Sequence, residues 1–200
     1  MICDEVMAGF GRTGKMFAFE NFDVKPDIVS FAKGVTCGYV QLGGVVVSRE
    51  IAEYFDDHVL SCGLTYSGHP LACAAGVACL KYYDDAKILD NVNASGKVLG
   101  EELESLKSKY EIVGDVRYIG LFSAIELVRD RKTKAPLVEY GKDPAGIMKS
   151  IIGKLKEKGF MTYSHENMIL ICPPLIITPE QVKEEMAKVD EVIKEVNGIY

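Results

Sequence analysis

The sequence lacks the marks of several functional classes. It has no CxxC pair, and its six cysteines, at 3, 37, 62, 73, 79 and 172, have no zinc-ligand spacing to His58, His69 or His165. A zinc module is therefore excluded, and a reduced, cytoplasmic protein is the simplest reading. Cys73 and Cys79 fall inside an apolar helical run, where cysteine behaves as a small hydrophobe. There is no dense basic stretch and the net charge is −6, which argues against a nucleic-acid partner. No apolar run approaches the length of a membrane span, so no membrane role is expected. Met1 leads directly into Ile2-Cys3-Asp4, so no secretory signal is expected either. Internal repeats and low-complexity tracts are also missing.

What is present is an ordinary globular composition. With 200 residues, 48% hydrophobic and 26% charged, the chain suits one large domain or two small ones. MICDEV reads as the end of a buried strand. After the loop GFGRTGK and an aromatic stretch with Phe17, Phe19 and Phe22 come a strand, IVSFA, and a turn over residues 34–38. A second apolar strand spans 42–47, and Ser48 caps a short helix running through Phe55. GHPLACAAGVACLKYY (68–83) opens with Pro70 in its first turn. It is apolar on nearly every side, predicting a helix packed tightly on a sheet.

From Ile88 the pattern changes. Ile88, Val92, Leu99, Leu103 and Leu106 keep helical spacing among charges, predicting a long, half-exposed connector helix. Strands are expected at 111–118, 121–128, 160–163 and 168–171. A helix with Ile147, Met148, Ile151, Ile152 and Leu155 on one face lies between the two pairs. Another follows Pro179, with Val182, Met186, Val189, Ile193 and Val196. The boundary falls near residue 90: an α/β sheet portion over 1–90, then the connector and a small α+β domain over 91–200.

Gly9-Phe10-Gly11-Arg12-Thr13-Gly14-Lys15 matches GxGxxG and nearly matches a P-loop. Met16 stands where Mg²⁺ would need Ser or Thr, and MFAFENF does not open a helix, so a plain glycine-rich turn is expected. IVSFAKG poses a different question, because a buried strand should not end by carrying Lys33 inward. Asp4, like Lys33, ends a strand, where ligands bind in open α/β sheets. On spacing alone the two are equally compatible with a buried salt bridge and with a site.

The combination of segments resembles class III aminotransferases. DEVMAGFGRTGK, FAKGVTCGYVQLGGVVVS, TYSGHPLACAAG, GLFSAIELVRDRKTK and CPPLIIT occur in that family's order, through essentially the whole chain. The resemblance implies an α/β fold: part of the large domain of a pyridoxal-phosphate (PLP)-dependent transferase of the aspartate-aminotransferase fold, then the small α+β domain. It implies that Lys33 is the lysine that joins PLP through a Schiff base, its amine made nucleophilic by desolvation. Asp4 is then the partner of the pyridine nitrogen, Val6 packs one face of the ring, and Thr65 reaches the phosphate held by a neighbouring subunit. The implied partners are a small-molecule amino donor (an amine or ω-amino acid), a 2-oxo acid acceptor such as pyruvate, and a second copy of the chain.

The chain corresponds to the C-terminal half of such enzymes, whose other half supplies the phosphate cup and the aromatic residue that stacks on the ring. Many members that accept amino acids carry an arginine shortly before PPLIIT. Here the stretch is Thr162-Tyr163-Ser164-His165-Glu166-Asn167, and His165 reads as a solvent-facing loop residue. An aminomutase of the same class shares these motifs, and a non-catalytic folding module is the further alternative.

Overall fold

A computed structural model describes all 200 residues. They divide into two compact units, Met1–Asp90 and Asn91–Tyr200.

The first unit is built on three short strands. β1 (Ile2–Asp4) and β2 (Ile28–Phe31) run parallel, pairing Ile2 with Ile28, Cys3 with Val29 and Asp4 with Ser30. β3 (Gly44–Val47) is antiparallel to β2 on the other side, so β1 is an edge strand. The expected burial of the first strand is not found, and Ile2 is 70% exposed. Cys3, the middle residue of β1, is half-buried. Ser48 caps α1 (Arg49–Tyr54), accepting the Ile51 N–H at 3.4 Å.

Pro70 opens α2 (Pro70–Asp85), a position where its missing N–H costs nothing. The close packing expected of this helix is confined to one narrow face. Ala72, Gly76 and Tyr83 are buried, whereas Leu71, Val77, Leu80 and Tyr82 are exposed. Gly76 allows the contact, since a Cβ there would lie 2.9 Å from the Leu42 side chain. An all-round apolar helix buries only the faces that have neighbours, and here one face has them.

The second unit is an antiparallel sheet in the order β4 (Val113–Ile119), β5 (Phe122–Asp130), β8 (Met168–Ile171), β7 (Tyr163–His165), with β6 (Ala135–Pro136) added on β5. Strand β7 begins later than the expected 160–163. Gly159 turns the chain at φ +81°, and the Thr162 hydroxyl, not a ladder amide, bonds the Leu170 carbonyl. Regular pairing starts only at Tyr163 opposite Leu170.

Three helices complete this unit: α3 (Ile88–Lys109), α4 (Ile147–Glu157) and α5 (Pro179–Val196). Most of the predicted apolar stripes are buried: Val92, Leu99, Leu103 and Leu106 on α3, Met148, Ile151 and Leu155 on α4, where Ile147 and Ile152 are only half-buried, and Val182, Met186, Val189, Ile193 and Val196 on α5. They share the core with Ile125, Leu127, Ile169 and Ile171 of the sheet, each large side chain contributing roughly 1.5–3 kcal/mol. Asp143 caps α4 by accepting the Ile147 and Met148 N–H groups at 2.7 and 3.0 Å. Thr178 and Gln181 form a reciprocal cap on α5. Asn91 and Ser95 of α3 hold the PPLIIT segment by donating to the Leu175 and Ile177 carbonyls.

Candidate active site

The parallel pair β1–β2 brings two functional groups to one end of the sheet. Asp4 is the last residue of β1 and sits opposite Ser30; two residues beyond the end of β2 comes Lys33. The C-terminal ends of parallel strands are where open α/β sheets bind ligands. Asp4 is exposed, and its Oδ1 accepts the Val6 N–H at 3.0 Å, which fixes the carboxylate relative to the chain leaving the strand. Val6 itself is half-buried.

Lys33 begins a single 3-10 turn, Lys33–Val35, with a left-handed φ of +45°. That backbone turn swings its side chain out of the strand direction. The desolvation expected of Lys33 is absent within this chain: the residue is exposed, and its Nζ donates to Met7 Sδ at 2.5 Å. The turn is closed by Val35 N–H to Ala32 O at 3.3 Å and Thr36 N–H to Lys33 O at 3.2 Å. Beside it, an open depression of about 500 Å³ is lined by Lys33, Thr36, Gln41 and Leu42 among others.

Residues not singled out from the sequence hold this turn in place. Tyr83 of α2, 5% exposed, donates its hydroxyl to the Gly34 carbonyl at 3.2 Å. Burial, and secondarily Cys37, pushes the Tyr83 hydroxyl well above its ordinary titration range. On the other side stands Phe10, 4% exposed, packed edge-on against Phe17 and Phe31. A Cβ on Gly34 would meet Phe10 at 2.6 Å, so only glycine fits there. The GFGRTGK loop is thus a packing element, with Phe10, Gly11 and Gly14 at positive φ. No α-helix opens at Gly14; a four-residue 3-10 turn follows at Ala18–Asn21. Glu5 anchors this loop. Only 2% exposed, it accepts the Ala18 and Phe19 N–H groups at 2.9 Å each. The alternation of a strand, with Asp4 outward and Glu5 inward, was the signal available for it.

Thr65 lies in a wholly exposed stretch, residues 56–70. His165, on β7, is exposed, as the sequence suggests. No two of the six cysteines are joined by a disulfide. No group of His, Cys, Asp and Glu is placed to hold a metal ion, and no helix is long and apolar enough to cross a membrane.

The profile of the aminotransferase class-III family matches residues 1–193. The structure is similar to that of a taurine:2-oxoglutarate aminotransferase from Bifidobacterium kashiwanohense, solved in complex with PLP and glutamate, with TM-score 0.95 and 55% identity over 99% of this chain and 44% of that one. A transaminase from a marine Virgibacillus superposes with TM-score 0.89 at 41% identity, covering 98% of this chain and 45% of that one. Among curated relatives, the adenosylmethionine-8-amino-7-oxononanoate aminotransferase of Staphylococcus aureus is 37% identical over 92% of this chain and 40% of its own length. The taurine–pyruvate aminotransferase of Bilophila wadsworthia is 33% identical over 96% of this chain and 43% of its own. The chain therefore spans less than half the length of the proteins it matches. A mixed α/β fold superposing on solved transaminases and a profile match through nearly every residue lead to one conclusion: this chain belongs to the class III aminotransferase family.

Proposed function

We propose that the chain is the C-terminal portion of a PLP-dependent aminotransferase that moves an amino group from an amine or ω-amino acid to a 2-oxo acid. The carrying observation is the arrival of Asp4 and Lys33 at the C-terminal ends of the parallel strands β1 and β2. The donor set suits PLP: an exposed primary amine for an aldehyde carbon and, one strand away, a carboxylate for a ring N–H. PLP, when bound, supplies an electron sink for the carbanion formed at the amine-bearing carbon.

The protein's own part is binding and proton movement. Lys33 Nζ would hold PLP at its aldehyde carbon, and its free amine would carry the proton taken from and returned to the donor's amine-bearing carbon. Asp4 would keep the ring nitrogen protonated by accepting its N–H, and the Val6 N–H on Oδ1 holds that carboxylate in place. Val6 would pack against the ring. Thr65, exposed in this chain, would serve the phosphate of a second copy.

The similarity to a taurine:2-oxoglutarate enzyme and to a taurine–pyruvate enzyme favours a short ω-amino acid such as taurine as donor, with 2-oxoglutarate or pyruvate as acceptor. The test is a chimera in which the preceding part of the Bifidobacterium enzyme is joined ahead of residue 1. Taurine-dependent formation of glutamate or alanine is expected. Transfer from neither taurine nor other ω-amino acids by a folded, PLP-loaded chimera would refute the reading.

A further inference from the structure

The turn that carries Lys33 is gripped from two sides at the residue just after the lysine. On one side, a Cβ on Gly34 would meet the Phe10 side chain at 2.6 Å, so the Gly34 Cα lies hard against it. On the other side, the Gly34 carbonyl accepts the Tyr83 hydroxyl of α2 at 3.2 Å, from 49 residues along the sequence. Two further donors to this carbonyl, the Cys37 N–H at 3.3 Å and the Cys37 thiol at 3.6 Å, come from beside the turn itself. The Tyr83 hydroxyl thus ties this peptide to another element of the fold.

We propose, resting on the role of Lys33 given above, that Tyr83 is a positioning residue for the Lys33 amine. By bonding the Gly34 carbonyl it holds the left-handed turn that presents Lys33 at the same strand ends as Asp4. A non-glycine residue at positive φ persists only where its surroundings fix it. Lys33, at φ +45°, immediately precedes the residue whose carbonyl Tyr83 bonds. Without that bond the turn is free to relax towards negative φ, which redirects the base of a flexible four-carbon arm. The amine then spends less of its time within reach of a group held by Asp4 on the neighbouring strand.

Burial suits Tyr83 to this part. At 5% exposure, little water reaches its ring to compete for the Gly34 carbonyl. Burial also holds the hydroxyl protonated beyond its ordinary range, so it stays a donor from acid to mild alkali. Phenylalanine at this position would keep the ring and lose the donor. The turn keeps a second, apolar contact with the same helix, since a Cβ on Gly76 would lie 3.9 Å from the buried Val35 side chain. Tyr83→Phe therefore leaves α2 in place and removes the tie alone.

Two measurements test this. In the 200-residue chain, Tyr83→Phe should speed hydrogen exchange at the Val35, Thr36 and Cys37 amides about tenfold and leave the second unit unchanged. Unaltered exchange in the turn would overturn the proposal whatever Lys33 does. In the chimera with the preceding part of the Bifidobacterium enzyme, PLP binding is followed by dialysis and by the visible absorbance of its imine with Lys33. Tyr83→Phe should lower PLP affinity about tenfold, whereas in a Lys33→Ala background, where that imine cannot form, the same change should leave affinity as it was. p-Aminophenylalanine in place of Tyr83 restores a donor and should restore the imine. An equal loss in both backgrounds would show a merely structural role, and no loss in either would show none; each overturns the proposal. A chimera with Tyr83 intact that binds PLP but forms no imine at Lys33 would overturn the reading of Lys33 itself, and this inference with it.

Discussion

Lys33 occupies a backbone conformation that a side chain with a Cβ resists, at a cost of about 1–2 kcal/mol. On the proposed function, the residue is kept there for its amine. Lys33→Gly and Lys33→Ala both remove the amine, but the glycine variant should be the more stable by about 1 kcal/mol in urea unfolding; equal midpoints would mean that the turn is unstrained. Tyr83→Phe removes the bond to Gly34 O and should cost on the order of 1 kcal/mol. The same residue gives a pH signature. Its hydroxyl titrates at 10.0 in an ordinary setting and higher when folded, so the folded state holds the proton more tightly. Its contribution is intact below pH 10.0 and is lost as pH rises above that value. Unfolding midpoints followed between neutral pH and strong alkali should fall in the parent and fall less in Tyr83→Phe. The placement of Asp4 at the end of β1 and of Lys33 just past β2 was legible from the strand pattern, whereas the roles proposed for them come from the family resemblance. The exposure of Lys33 was not legible, since nothing in IVSFAKG reveals the left-handed turn after Ala32. Glu5 was missed because a carboxylate beside Asp4 reads as a second surface charge, whereas strand alternation turns it inward to bond two loop amides.

At the scale of elements, periodicity carried the helices well. Most of the stripes on α3, α4 and α5 are buried as their spacing requires, because each helix has a sheet or another helix beside it. Strand β7 slipped because its start depends on where Gly159 turns and on a Thr162 side-chain bond, neither of which is a periodic signal. On α2, composition announced an apolar helix but could not say which faces would find neighbours. Close helix–hairpin contact in the second unit rests on Gly96. A Cβ there would lie 2.7 Å from the Gly120 carbonyl oxygen, a backbone atom that cannot step aside cheaply. Gly96→Ala should therefore destabilise this unit by about 1–3 kcal/mol, despite alanine's better helix propensity. Thermal unfolding would show it, and a neutral or stabilised variant would mean that α3 can move away from the hairpin.

As a whole molecule, the chain is 200 residues long and covers 44% of the solved structure it resembles at 55% identity. The first unit exposes Val45, Val46, Leu64, Tyr66, Leu71 and Val77, together with the free edge of β1. Such surfaces favour self-association. The isolated chain should run as oligomers in light scattering and be silent in transamination, because Lys33 is exposed to water and Thr65 offers one hydroxyl worth on the order of 1 kcal/mol; a monodisperse, active monomer would contradict this. The central claim, that Lys33 is the cofactor-bearing lysine, is tested most directly in the chimera with the preceding part of the Bifidobacterium enzyme. PLP is added, the imine is reduced with borohydride, and the modified peptide is sequenced by mass spectrometry. The predicted result is a single pyridoxyl label on Lys33 that disappears in Lys33→Ala; a label on another lysine, or one that persists in that variant, would contradict it.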